Sequence, residues 1–173
     1  MDAYIEWARR EIEDATRGLS PAQLMSAPSG KWTPVQILEH LLMTYRSTAN
    51  LFDRIRASAA PVPSPTLKQR AGIFLITVVG YFPEGRKSPV FAEPRGTADP
   101  ATIVNEMLEQ LLKMDQAIAE AQAVKGSSRP IAAHPILGPL TPSQWRRFHL
   151  AHTRHHMKQV RARAAFSQSA SAA

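Results

Sequence analysis

Three times in this chain a hydroxyl residue is followed by proline and then, three positions after the hydroxyl, by glutamine: Ser20 to Gln23, Thr33 to Gln36 and Thr141 to Gln144. Each reads as a capping box with proline at the first helical position, where its missing N–H costs nothing and its fixed φ suits the helix. Helix starts written this plainly constrain the chain toward an all-α fold. Apolar spacing agrees. Residues 2–17 read as the first helix, with Ile5, Ala8, Ile12, Ala15 and Leu19 marking one inward stripe and Gly18 the stop. A short helical turn begins at Ser20 and ends near Pro28. The second long helix runs from Thr33 to about Ala59 with Ile37, Leu41, Thr44, Thr48, Leu51 and Ile55 facing inward. Asp99 and Pro100 cap and open another helix, whose stripe is Ile103, Met107, Leu111, Met114 and Ile118; its methionines read as core filler rather than ligands. The last helix runs from Thr141 to about Arg163.

The stretch AAPVPSP ends the second helix, because closely spaced prolines remove donors and push the residues before them out of the helical region. A crossover starts there. Residues 66–82 hold the most apolar run, and its β-branched residues would suit a strand. No second strand pattern occurs elsewhere to pair with it, so a third helix over 66–80 is expected. PEGRKSPVFAEPRGTADP then reads as a long irregular loop of the kind that covers a site. Four long helices and a shorter one make a four-helix bundle with a long crossover connection and short extra helices, one domain over residues 1–165. SQSASAA has no apolar face, so 166–173 is expected to be a disordered tail.

The final helix holds four of the six histidines. Trp145, Phe148, His149, His152, His156, Gln159 and Val160 recur at three- and four-residue steps, which puts the imidazoles on the inward side. Arg146, Arg147, Arg154, Lys158 and Arg161 fall mostly elsewhere. His152 and His156 are one turn apart, the spacing at which two imidazoles reach one metal ion. His155 is about 100° off His156 and points outward or to an edge. His149, one turn before His152, is open to three readings: a further ligand, a group behind the ligands, or a packed core residue. A third ligand has to come from elsewhere, and His40 is the candidate, beside the inward stripe of the second helix. His134 lies in an irregular approach to the last helix and reads as a loop-packing residue that could reach the mouth of a site.

At these residues the chain resembles a known family. W-T-P-x-x-x-L-E-H-L from Trp32, H-P-x-x-G-P-L-T-P-x-Q-W from His134 and H-x-x-H-H-x-x-Q from His152 are similar to the DinB/YfiT-like superfamily of small metal-binding four-helix bundles. The resemblance extends from Tyr4 to about Arg163. It implies a divalent metal held by one histidine of the second helix and a pair on the last, which are His40, His152 and His156 here. It also implies a thiol-dependent transferase or isomerase chemistry using a low-molecular-weight thiol as a possible activity class.

Three imidazoles favour zinc, nickel, iron, copper or cobalt over magnesium or calcium, which prefer oxygen. Three protein ligands leave positions open for water or substrate. Thr153 follows His152, so the glutamate of H-E-x-x-H is absent and the chain is not a zincin. Glu39 points about 100° away from its neighbour His40, and Gln159 reads as a hydrogen-bonder behind the ligands. The expected function is a metal-dependent enzyme acting on a small molecule, of hydrolase or thiol-dependent transferase type. The alternative is a non-catalytic metal-binding or interaction bundle.

Composition removes other classes. With no cysteine, disulfides, thiolate metal sites and a protein-borne thiol nucleophile are excluded. The net charge of +7, from 21 Lys and Arg against 14 Asp and Glu, is spread from Arg9 and Arg10 to Arg86, Lys87 and the last helix without a docking motif, which argues against nucleic acid. Neither a signal-peptide core nor a membrane span occurs, so a cytoplasmic protein is expected. Trp7 lies off the first stripe; partial burial against a neighbouring helix is its ordinary reading, and with the other outward apolar groups it raises the expectation of a homodimer.

Overall fold

The computed structural model describes residues 1–56, 58, 60, 62–82 and 88–171, with side chains to Ser167. Asp2 caps α1 (Ala3–Thr16) by accepting from the Tyr4 N–H, and Gly18 takes the left-handed position that ends it, at φ +73°. Ser20 closes its box with Gln23 over α2 (Pro21–Leu24). Thr33 with Gln36 opens α3 (Pro34–Arg56), so all of the expected boxes start helices once Thr141 and Gln144 open α6 (Pro142–Ser171). A further box, Thr66 with Gln69, opens α4 (Leu67–Thr77). Ala59, the expected end of the second helix, and the basic pair Arg86 and Lys87 lie outside the described residues.

α5 spans Ile103–Lys125 and starts later than Asp99. The Asp99 carboxylate accepts from the Ala101 N–H, and its carbonyl takes the N–H groups of Thr102 and Ile103. Asp99 therefore caps a turn that leads into the helix. The α5 stripe of Ile103, Met107, Leu111, Met114 and Ile118 is wholly buried, and so is the α1 stripe apart from Leu19, which is partly buried.

α1, α3, α5 and α6 form the four-helix bundle, α3 lying along α5 and α1 along α6, while α4 is the crossover element laid on α6. α3 is enclosed on several sides, which changes its expected stripe. Leu38, Leu41, Tyr45, Ala49 and Phe52 fill the core, whereas Thr44 and Leu51 are half-buried and line a cavity instead. Each fully buried large side chain of this kind contributes about 1.5–3 kcal/mol. Tyr45 reaches Thr153, with oxygens 2.6 Å apart, and Phe52 meets Trp145 edge-on at 5.3 Å between ring centroids. Numbers rise along α3 as they fall along α6. The two helices are antiparallel, and this register carries His40 to the level of His152 and His156.

Three features depart from the sequence reading. Arg146 is buried rather than outward: its Nε donates to Asp115 at 2.7 Å, its Nη1 to Gln122 at 2.7 Å, and the Asp2 N–H closes the other Asp115 oxygen at 2.9 Å. The approach to α6 is a small antiparallel hairpin, β1 (Ala132–His134) with β2 (Gly138–Leu140), too short to show a period of its own. Its Gly138 has φ +76°, a left-handed conformation that strains other residues, and a Cβ there would also displace the Gln69 side chain. Finally, α6 is helical to Ser171 through much of the expected tail, since Ala, Ser and Gln lack an apolar face but do not break a helix already formed. Trp7 is 45% exposed and packs edge-on against Tyr4. Among the described residues no helix is long and apolar enough to cross a membrane.

Candidate metal centre

The α3–α6 register brings together the three histidines expected from spacing. Each offers a ring nitrogen within 4.8 Å of the other two. His152 Nε2 lies 3.0 Å from His156 Nε2 and 3.3 Å from His40 Nε2. Nitrogens bound tetrahedrally to one zinc at about 2.0–2.1 Å stand about 3.3 Å apart, so the spacing suits a shared ion.

The partners of the outer ring nitrogens decide which atoms face inward. His40 Nδ1 is 2.6 Å from the Ala92 carbonyl, which can only accept, so Nδ1 carries the proton and Nε2 a lone pair. His156 Nδ1 likewise donates to Gln159 Oε1 at 2.9 Å. The Gln159 amide N–H in turn reaches His155 Nε2 at 3.2 Å, which holds the amide in that orientation. Two lone pairs therefore point at His152. Its Nε2 can give a proton to one of them and leaves the other facing nitrogen, and its Nδ1 is shut off from solvent with no hydrogen-bond partner among the described residues. The donor set is short of a positive centre, and a cation fits it.

Glu39 has a role that its sequence position did not suggest. Buried beside His40, it accepts from the Gly96 N–H at 2.8 Å and the Thr97 hydroxyl at 3.3 Å. Adjacent residues of α3 thus clasp one loop, Glu39 at Gly96 and His40 at the 3-10 turn Val90–Ala92. Neither helical period nor motif spacing shows such a contact, because the loop is irregular. Thr153 is also structural: it donates to the His149 carbonyl at 2.7 Å and is bonded to Tyr45.

His149 does not join the three. It is fully buried with neither nitrogen hydrogen-bonded among the described residues, stacked on Trp145 at 6.0 Å, and is the packed core residue among its three readings. His134 Nδ1 accepts from the Ile136 and Leu137 N–H groups in the hairpin turn, while its ring lines the cavity against Phe148. His155 lies at the cavity edge, stacked on Phe82 at 5.1 Å.

Burial keeps these rings neutral. Desolvation lowers His40, holds His152 well below the usual 6.5, and takes His156 and His149 each to about 3. In the metal-free protein, unfolding returns His149 and His156 to about 6.5, so between pH 3 and 6.5 the unfolded chain binds more protons. Stability is full above pH 6.5 and falls as pH drops toward 3, by up to about 1.4 kcal/mol per pH unit for each ring. Denaturant midpoints of chelated protein at pH 7.5 and pH 5 check this; equal midpoints would contradict it.

A helical bundle with three inward histidines open to a cavity is the class of protein that the fold and cluster define. The chain belongs to the DinB superfamily, whose family model matches residues 4–160. The fold is similar to the crystal structure of TT2238, a four-helix bundle protein, at a TM-score of 0.53 and 20% identity over 91% of each chain. That likeness concerns the fold alone. No curated protein matches the chain significantly.

Proposed function

We propose that His40, His152 and His156 bind one divalent transition metal, zinc, nickel or iron, and that the protein is a metal-dependent enzyme acting on a small molecule. The observation that carries the reading is the pair of fixed tautomers that aim the His40 and His156 lone pairs at the ring of His152. When bound, such an ion supplies Lewis acidity to an oxygen or sulfur atom of a substrate. The Ala92 carbonyl and Gln159 orient two of the ligands and raise their basicity. His149 is not a fourth ligand, and the cluster opens on a cavity of about 1380 Å³, a roomier space than most small-molecule sites. Trp32, Phe82 and Phe148 line it, which suits an apolar substrate body. Hydrolysis and thiol transfer, with a low-molecular-weight thiol as co-substrate, are both consistent with this arrangement.

Protein purified without added metal is expected to carry, or take up on titration, about one ion per chain. Gln159→Ala should keep that stoichiometry and weaken affinity about 10–100-fold, the usual effect of losing a group that orients a ligand. Elemental analysis and competition with a chromophoric chelator measure both. A wild-type protein that takes up none of zinc, nickel or iron would end the proposal. Stoichiometric binding by a protein that turns over no ester, amide or thiol-acceptor substrate would favour the non-catalytic bundle.

A further inference from the structure

The cavity in front of the three imidazoles is lopsided in charge. Among its described lining residues Lys31, Arg54, Lys68 and Arg163 are basic, and Glu93 is the one acid. Lys31, Arg54 and Lys68 are exposed, where solvent screens them. Arg163 is half-buried, and its Nε is shut off from solvent with no hydrogen-bond partner among the described residues. With Nε turned into the protein, what Arg163 can present to the cavity it lines is the rest of its guanidinium fork, whose charge and planar N–H groups suit a planar anion. On α6, Arg163 follows Gln159 by four residues and His156 by seven, which places it two turns along the same face, about 10 Å from the cluster by helical rise. Aromatic surface is close by: Trp32 lies 5.4 Å from His40 between ring centroids, and Phe82 stacks on His152 at 5.7 Å.

We infer that Arg163 sets the specificity of this cavity by holding the carboxylate or phosphate of a small organic anion, whose apolar body runs toward the histidine cluster. The inference rests on the metal-site reading only for what lies at the far end of that body; the contact at Arg163 does not need the ion.

The full chain, both metal-loaded and after chelation, is titrated calorimetrically with 4-phenylbutyrate, phenethyl phosphate and uncharged 4-phenylbutanol. In the wild type at least one of the two anions should bind about tenfold more tightly than the alcohol in both metal states, as expected of a charge-assisted contact. Whichever anion is preferred separates carboxylate from phosphate. Arg163→Met should bring the ratio to within about twofold, leaving alcohol affinity and metal stoichiometry unchanged, and Arg163→Lys should keep part of the preference. Arg163→Gln serves if methionine loosens the helix. A preference that survives removal of the guanidinium, that appears only with metal present, or that is missing from the wild type overturns the inference. Absence of metal uptake with the anion preference intact in chelated protein would instead sink the metal reading and leave Arg163 standing.

Discussion

His152→Leu should abolish stoichiometric metal binding and leave the metal-free protein at least as stable as the wild type. His152 is the ring on which the other two converge, with nitrogens at 3.0 and 3.3 Å. Losing it should cost more than the ~100-fold that marks removal of an outer partner. Stability should respond differently. The His152 Nδ1 is buried without a hydrogen bond among the described residues, and its Nε2 can serve only one of the two lone pairs it faces, so an apolar side chain of similar size removes an unsatisfied nitrogen and a crowded contact against the loss of one hydrogen bond. A residue kept for function against stability behaves this way. His40→Ala and His156→Ala should also lose the ion, but each strands an acceptor, the Ala92 carbonyl or Gln159, and should lower the thermal midpoint of the metal-free protein. Chelator competition and thermal melts on chelated protein read the two effects separately. Retained binding in His152→Leu, or a loss of several kcal/mol in its metal-free form, would mean that the ring is a structural core residue.

The largest stability effect belongs elsewhere. Asp115→Ala should destabilise the fold by about 3 kcal/mol or somewhat more, because it removes the buried Arg146 guanidinium's close partner at 2.7 Å and leaves only the more exposed Asp2 carboxylate at 3.7 Å. In a chain of this size that is a fall of roughly 10 °C in melting temperature. The same carboxylate accepts from the Asp2 N–H, so α1, α5 and α6 all loosen together. The double variant Asp115→Leu with Arg146→Met should recover most of the loss, since a buried pair replaced by packed apolar groups is often neutral or stabilising. A double variant no better than Asp115→Ala would show that the hydrogen bonds to Gln122 and Asp2 matter more than the charge pair.

These two predictions separate what is local from what is not. The capping boxes at Ser20, Thr33 and Thr141 are legible in the sequence because each joins groups three residues apart. The one-turn spacing of His152 and His156 is legible for the same reason. Arg146 falls off the inward steps of α6, and nothing within a few residues reveals that Asp115, 31 positions away, waits inside the core. The stripe on α3 was misread in part because a helix enclosed on several sides has no single buried face. The hairpin before α6 escaped notice because three residues per strand are too few for a period.

The chain alone determined where most of its helices begin, that they form a bundle, and which three imidazoles are candidates to meet. Capping and helical periodicity act over three or four residues and so are written in consecutive positions. Only the tertiary structure decided that His40 meets His152 across 112 residues, that Ala92 and Gln159 fix two tautomers, and that Arg163 lines the cavity. Those contacts depend on how helices slide and turn against one another. That register comes from the packing of Tyr45, Phe52 and Trp145 as a set, which no local stretch of sequence contains.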